Sequence, residues 1–541
     1  MVQKALVVVI YFAGILFVGI YSRRYARKTT EDFFLAGRNI GPVLLFFTMA
    51  ATNFSAFTVF GFSGAGYRLG YAFYPIMAFG TGFMAITFSF IGKRVWQLGK
   101  TQGYITPAEL IGKQYQSRTL RLLFFGVMVV FTLPYIAIQP ISAGYTLESL
   151  LGIPYFTGAT LVMGVIVLYV FVGGLRGVVW TDVVQGGMMI LLLVAALLFV
   201  ASPHGGLTQA NLLVLKESPD HFSRPGPGNA LPLGIWFSYM FLWLVCDPLF
   251  PQLFQRFFAA RDRRSLDVTM LMYPVITGFL FLLPIAIGVI GRLTVQGLEG
   301  KEADKILPLL MQDLADNWFG ALVLTAGLAA LMSTLDSQLL TLSSMFTRDV
   351  AKKPYDESKQ RWLGKGFIVF LAAVGLAIAY NPPSTILKIA TQTFTGLAVL
   401  FPTLIGGLYW QNASSLGGIL SILVGEALVV LYAIDWLPTL GFLPVVPILV
   451  VTSIVFVFGS LLQSSSRREK KGIGSNLHRG TGIRKNTISA FAAFGILFLL
   501  GMDYWSWGST WTFFWGFPWW VWYFIALNGL LVVAMRVFLK D

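Results

Sequence analysis

Fifteen stretches of this chain are long and apolar enough to cross a bilayer as helix. They lie near 4–22, 39–66, 71–92, 119–147, 154–174, 178–201, 232–255, 267–291, 318–346, 364–381, 385–410, 413–434, 441–463, 486–502 and 517–539. A spanning helix takes about 20 such residues, so fifteen of them use roughly 300 positions. Little of the 541-residue chain is left for a soluble domain. Only 12% of the residues are charged and the mean hydropathy is +0.73, whereas a soluble domain carries about 25% charge. A soluble enzyme, a disordered chain and a disulfide scaffold are excluded. The single cysteine, Cys246, sits in an apolar stretch, and His204, His221 and His478 fall between apolar runs. A thiolate metal site or a histidine-based active site is therefore not expected.

The net charge of +15 would suggest nucleic acid in a soluble protein. In a membrane protein the alternative is positive loops on the cytoplasmic side. The first apolar run is followed, not preceded, by Arg23, Arg24, Arg27 and Lys28, so it reads as a retained helix with its N-terminus outside. Alternating from that start, the loops that become cytoplasmic hold 31 of the 39 Lys and Arg, against eight on the other face. The surplus orients helices and meets lipid headgroups. No nucleic-acid partner is expected, the C-terminus should be cytoplasmic, and the setting should be a bacterial-type plasma membrane. The basic run 464–485 reads as a cytoplasmic tether near anionic lipid. Seven of the fifteen tryptophans crowd positions 505–522 and read as an interfacial aromatic belt.

Two spans interrupt their own helix. The second reads Met49-Ala50-Ala51-Thr52-Asn53-Phe54-Ser55-Ala56 and then Gly61-Phe62-Ser63-Gly64-Ala65-Gly66, small and polar where the bilayer midplane should be. The seventh contains Cys246-Asp247-Pro248-Leu249-Phe250-Pro251, whose prolines remove amide donors and clash with the preceding turn. Unwound backbone at membrane depth persists only where it lines a cavity or binds something. The two spans are five apart, so they cross in opposite directions. Two five-helix units related by inversion, each opening with a broken helix, form a transporter plan. The expected organisation is an N-terminal helix and loop (1–37), a first repeat (38–201), a loop (202–231), a second repeat (232–410), two accessory helices (411–463), the basic linker (464–485) and a C-terminal helix pair (486–541).

The ninth span places Ala330, Ser333 and Thr334 at i, i+3 and i+4, on one helix face. Two hydroxyls and a carbonyl are hard oxygen donors suited to a small cation. With the freed carbonyls of Ala51 and Phe54 they make a five-oxygen cage. Back-bonding of Ser333 and Thr334 to a carbonyl one turn earlier is the competing reading.

The chain resembles the sodium:solute symporter family. The resemblance runs from Thr30 to about Gln463. It rests on Glu31-Asp32-Phe33-Phe34-Leu35-Ala36-Gly37-Arg38, Thr106-Pro107-Ala108-Glu109-Leu110, Trp180-Thr181-Asp182-Val183-Val184-Gln185, Arg256-Phe257-Phe258-Ala259-Ala260, Met332-Ser333-Thr334 and Gly407-Leu408-Tyr409-Trp410, in that order. It implies an all-α polytopic membrane protein with a leucine-transporter-like 5+5 inverted repeat, extra terminal helices and about 15 transmembrane helices. It implies sodium as coupling ion, with the principal site on the Ala51, Phe54 and Ala330 carbonyls and the Ser333 and Thr334 hydroxyls. A second cation site would use Asp182, Ser333, Asp336 and Ser337. Asp336 stands where members with that site have serine, so it could strengthen the site, carry a proton or face a vestibule. The implied solute pocket is Thr52, Ser55, Phe57, Tyr135, Gln139, Trp243 and Asp247, with helix packing as the plainer reading of each. Asp247 stands where members place a gating aromatic, and either binds a solute amine or hydroxyl or caps the half-helix.

Asp182, Asp247, Asp336 and Glu426 are the acids that look intramembrane, with no deep base beside them. Intramembrane acids are expensive and by default functional, although Glu426 lies outside the inverted core and suits a structural or lipid-edge role. The expected function is sodium-coupled symport of a small organic solute, an organic carboxylate or an amino acid, by alternating access, with a single chain as the working unit. Proton-coupled symport on the same fold is the alternative, and a transporter-like membrane sensor a more distant one.

Overall fold

The computed structural model describes residues 2–25, 29–313, 318–350, 357–464 and 485–538, and among them it is helical without a strand. Most of the 464–485 linker lies outside the described residues. The long helices are α1 (Val2–Tyr21), α2 (Pro42–Asn53), α3 (Phe62–Leu69), α4 (Phe73–Gln102), α5 (Arg118–Leu151), α6 (Tyr155–Ala201), α7 (Leu233–Cys246), α8 (Pro251–Ala259), α9 (Arg263–Leu280), α10 (Leu282–Gly291), α11 (Phe319–Met345), α12 (Glu357–Ala379), α13 (Ile386–Ala398), α14 (Phe401–Tyr409), α15 (Ser415–Ala433), α16 (Val445–Ser464), α17 (Lys485–Met502) and α18 (Trp519–Phe538).

Among the described residues, twelve helical segments have the length and apolarity to cross a membrane, and the bent pair α7–α8 makes a thirteenth. Two of the twelve are double. The segment Tyr155–His204, 50 residues long, would measure about 75 Å at 1.5 Å per residue, far beyond a hydrocarbon core of about 30 Å. Gly174 divides it, with φ 55° and ψ −158°; a Cβ there would stand 2.7 Å from the Phe33 carbonyl oxygen, so only glycine fits the corner. Gly70, with φ 68°, likewise ends α3 before α4 begins. With α2 and α3 taken as one crossing, the fifteen expected spans are recovered.

Both expected breaks are present. Helix α2 ends at Asn53, Phe54 to Ser55 is non-helical, and a π-turn over Phe57–Gly61 leads into α3. Helix α7 passes into a 3-10 turn at Asp247–Leu249, Phe250 is extended, and α8 restarts at Pro251 with a bend of 52°. Proline suits that restart because its missing N–H lies in the first helical turn, where no intrahelical partner exists. The entry to α2 is bonded to the exit of α8: the Ile40 amide donates to Ala259 O at 3.2 Å and the Arg261 amide donates to Ile40 O at 3.0 Å. The two broken spans therefore run in opposite directions.

Small residues let backbones approach where these spans cross their neighbours. A Cβ on Gly288 of α10 would stand 1.9 Å from Ser63 O of α3, and one on Gly66 would stand 2.3 Å from Ile285 O. The C-terminal helix α18 wedges the buried Asn528 between Gly82 of α4 and Gly278 of α9. The tryptophan cluster does more than line an interface. Trp505, Trp511 and Trp515 are exposed, but Trp520 is fully buried under the guanidinium of Arg224, 5.1 Å from its ring centroid. Arg224 is itself buried and pairs with Asp503 at 2.6 Å, tying the 202–231 loop to the C-terminal pair. Burial lowers the Arg224 pKa to about 10 against the pull of Asp503.

Candidate sodium and solute site

The end of α2 and the middle of α11 meet through oxygen atoms. The Ser333 hydroxyl donates to Ala51 O at 2.8 Å and to Ala330 O at 3.0 Å. The Thr334 hydroxyl donates to Thr52 O at 3.0 Å and to Ala330 O at 3.2 Å, and the Thr52 hydroxyl donates to Ser333 O at 3.1 Å. All of these residues are buried. Back-bonding within α11 and cross-helix contact, set against each other in the sequence, coexist here: each hydroxyl faces its own i−3 or i−4 carbonyl and one carbonyl of α2. The second carbonyl reached from α11 belongs to Thr52, which sequence reasoning assigned to the solute pocket. Phe54 caps α2 with φ −85° and ψ 81°, its ring turned to Phe281 at 5.1 Å and Tyr273 at 6.1 Å.

Most of the expected solute residues gather beside this junction. The Ser55 hydroxyl and the Tyr135 phenol are 2.7 Å apart. Gln139 accepts from the Ala56 amide at 3.2 Å and donates to Tyr135 O at 3.1 Å. These bonds satisfy the unwound backbone from a neighbouring helix, as lipid-depth irregularity requires. Phe57, Tyr135 and Trp243 surround Phe394 of α13 with centroid distances of 5.9, 5.1 and 5.1 Å, and Phe250 lies 4.7 Å from it. Phe250 and Phe394 were not picked from the sequence. Phe250 carried a signal, lying between the two prolines of the break; Phe394 had none. The buried Trp243 indole N–H has no acceptor among the described residues. Asp247 is buried at the break of span seven, beside the Asn53 side chain.

Asp182, Asp336 and Ser337 are also brought together. Asp182 Oδ2 accepts from the Thr48 hydroxyl at 2.5 Å. Asp336 accepts from the Tyr169 phenol at 2.7 Å and from the Ser337 hydroxyl at 3.2 Å. The expectation of no deep base is corrected by Arg256 of α8, which is fully buried. Its guanidinium donates to Thr48 Oγ1 at 2.9 Å, Gln252 O at 3.0 Å, Asp182 Oδ2 at 3.1 Å and Ser337 Oγ at 2.7 Å. In sequence Arg256 looks like one more base of a cytoplasmic loop; the short half-helix restarting at Pro251 draws it inward. Among the described residues, Asp182 Oδ1 stays buried without a partner. Glu426 of α15 is half-buried and its Oε1 also lacks one.

Both ends of the broken spans carry buried contacts. On one face lie the Ile40–Ala260 bridge and the buried Asp349, which takes the Thr106 hydroxyl at 2.8 Å and Arg121 at 2.7 Å. On the other, the turn Gly300–Lys305 buries Asp304, whose Oδ2 accepts from the Ile386 amide of α13 at 2.8 Å while Arg68 stands 3.8 Å from its Oδ1. Burial raises the Asp304 carboxyl to about 7 against the Ile386 amide and Arg68.

A model of the sodium:solute symporter family matches residues 33–425. The chain belongs to the sodium:solute symporter family. Among curated proteins it is 26% identical over 466 residues to the sodium/pantothenate symporter of Haemophilus influenzae, covering 84% of this chain and 95% of that protein. It is 27% identical over 452 residues to the sodium/proline symporter of the same organism, covering 78% and 86%. A solved sodium-coupled sialic acid symporter, substrate-bound and outward-open, superposes with a TM-score of 0.72 at 17% identity, over 87% of this chain and 99% of that one. The fold is thus leucine-transporter-like, and the chain is a multi-pass membrane transporter that performs sodium-coupled symport rather than an enzyme.

Proposed function

We propose that sodium binds where α2 and α11 meet, on the carbonyls of Ala51, Phe54 and Ala330 and the hydroxyls of Ser333 and Thr334, with Thr52 O as a further ligand. The observation carrying this reading is that both hydroxyls already point at carbonyls of the broken span across the junction. The donor set is neutral and all oxygen, the kind that unwound backbone and helix ends present to a monovalent ion. Withdrawing α11 from Ala51 and Thr52 would dismantle it, which makes ion release a consequence of helix motion.

The solute, a small organic carboxylate or an amino acid, sits between the breaks against Ser55, Phe57, Tyr135, Gln139, Trp243 and Asp247. Sodium binding ties α2 to α11 and organises the stretch from Thr52 to Phe57, so solute and ion favour the same conformation. Opening to each side alternates between undocking the Asp304 turn and parting the Ile40–Ala260 bridge. At the second cluster two carboxylates face one guanidinium. That leaves one formal negative charge, beside the unpartnered Asp182 Oδ1, for a second cation on Asp182, Asp336 and Ser337. The N-terminus lies outside and the C-terminus in the cytoplasm, as the 31 to eight division of basic residues favours. Each sodium ion entering down a membrane potential contributes about 2.3 kcal/mol per 100 mV.

The test is uptake into proteoliposomes with imposed ion gradients. A sodium gradient should drive accumulation that Ser333→Ala with Thr334→Ala abolishes. Uptake driven equally well by the double variant would remove the site assignment.

A further inference from the structure

We infer that the solute carries a protonated amine, and that Asp247 is its counter-charge. The inference deepens the transport reading above and rests on it. Asp247 opens the break in span seven, is 2% exposed, and faces the neutral Asn53 at the end of the other broken helix. Among the described residues no Lys, Arg or His forms an ion pair with it. Arg256, the deep base, is committed to Asp182, Thr48 and Ser337. A carboxylate held away from water without a cation is costly, and intramembrane acids normally pair or mark a pathway. A helix-capping role would need a backbone amide on its carboxylate, and neither the Asp247–Leu249 turn nor α8 has a side-chain cap.

Two further features fit an ammonium group and disfavour a bare anion. The walls are aromatic: Phe57, Tyr135, Trp243, Phe250 and Phe394 make ring contacts of 4.7 to 6.1 Å with one another. Ring faces of this kind attract a desolvated cation. The set contains no base to receive a carboxylate. Among the described residues, the buried Trp243 N–H lacks an acceptor, which an oxygen elsewhere on the solute would supply. The site therefore matches a small molecule with an ammonium at one end and a hydrogen-bond acceptor nearby.

The experiment uses the full chain in detergent with sodium fixed, following the thermal unfolding midpoint. It is titrated with probes bearing a cationic protonated amine, L-proline, L-alanine, putrescine and ethanolamine, and with the amine-free L-lactate and pantothenate. Stabilisation by at least one cationic probe and by neither amine-free one is expected. Asp247→Asn should weaken that response by roughly ten- to a hundredfold in half-effective concentration, the cost of losing a hydrogen bond to a charged group. The shift produced by sodium alone should survive in this variant. If Asp247→Asn does not fold, Asp247→Glu, which keeps the charge, should retain the preference for cationic probes. The proposal is overturned by stabilisation from lactate or pantothenate that Asp247→Asn leaves unchanged. It is equally overturned by a cationic response that Asp247→Asn leaves unchanged, or by no response to any cationic probe. A wild-type protein that sodium fails to stabilise, with the solute preference intact, would fault the sodium site and not Asp247.

Discussion

Removing the charge of Arg256 tests how the buried polar cluster is held together. In Arg256→Gln the side chain becomes neutral and shorter, and the bonds to Asp182, Thr48, Ser337 and Gln252 O are lost or weakened. Both members of the ion pair are fully buried, so Asp182 cannot turn to water for compensation. Breaking a buried pair from one side costs about 3–5 kcal/mol, most of it the stranded charge and not the lost attraction. With unfolding entropy of about 2.1 cal/mol/K per residue, a chain of this length loses on the order of one degree per kcal/mol. A fall of roughly 3–5 °C in the unfolding midpoint follows, read by size-exclusion recovery after heating. Asp182→Asn in the same background removes the stranded charge and should return most of the loss, so the double variant should be clearly more stable than the sum of the two single effects predicts. Additive losses, or an Arg256→Gln midpoint within a degree of wild type, would refute this account of the cluster.

Gly288→Ala brings a Cβ to 1.9 Å from Ser63 O, forcing α10 and α3 apart at a cost of about 1–3 kcal/mol or more; a lowered midpoint and lost uptake should follow together. Docking of the Asp304 turn should depend on pH. Its carboxyl is raised to about 7 when buried, against about 3.9 when free, so docking weakens as pH rises from about 4 to about 7 and is independent of pH above that, where both states are ionised. Hydrogen exchange of 300–313, corrected for intrinsic rate, should rise between about pH 4 and pH 7 in wild type, level off above that, and stay flat in Asp304→Asn. Arg224→Gln leaves Asp503 buried without its cation and removes the stacking on Trp520 and Phe524; limited proteolysis should then cut between 503 and 518 faster than in wild type.

The architecture was legible because a bilayer restricts spans to helices of one length, and because proline and small polar residues in such a span have few structural uses. Hence both breaks could be placed from spacing, whereas the Ala51–Ser333 junction was only one of two readings of the spacing until the family resemblance favoured it. What escaped was set by packing across distant segments. Arg256 opens a family motif, but nothing in that motif says that its side chain turns inward; the bend at Pro251 carries it to the core and leaves Arg261 and Arg263 near a surface. Thr52 was assigned to the solute by its neighbours, whereas the direction of its carbonyl depends on where α2 stops. Phe394 enters the aromatic cluster only because α13 packs beside α7. The tryptophans at 505–522 share one composition but divide between exposed rings and a buried seat for Arg224, a distinction made by the 202–231 loop.

The most direct test of the central claim is sodium binding without solute. The wild-type protein is titrated with sodium chloride against potassium chloride at constant ionic strength, following the unfolding midpoint, beside the Ser333→Ala/Thr334→Ala variant. The account predicts a saturable rise in wild type and, in the variant, a half-effective sodium concentration at least roughly tenfold higher, as expected when two oxygen ligands are removed. Superimposable curves for the two proteins would contradict it.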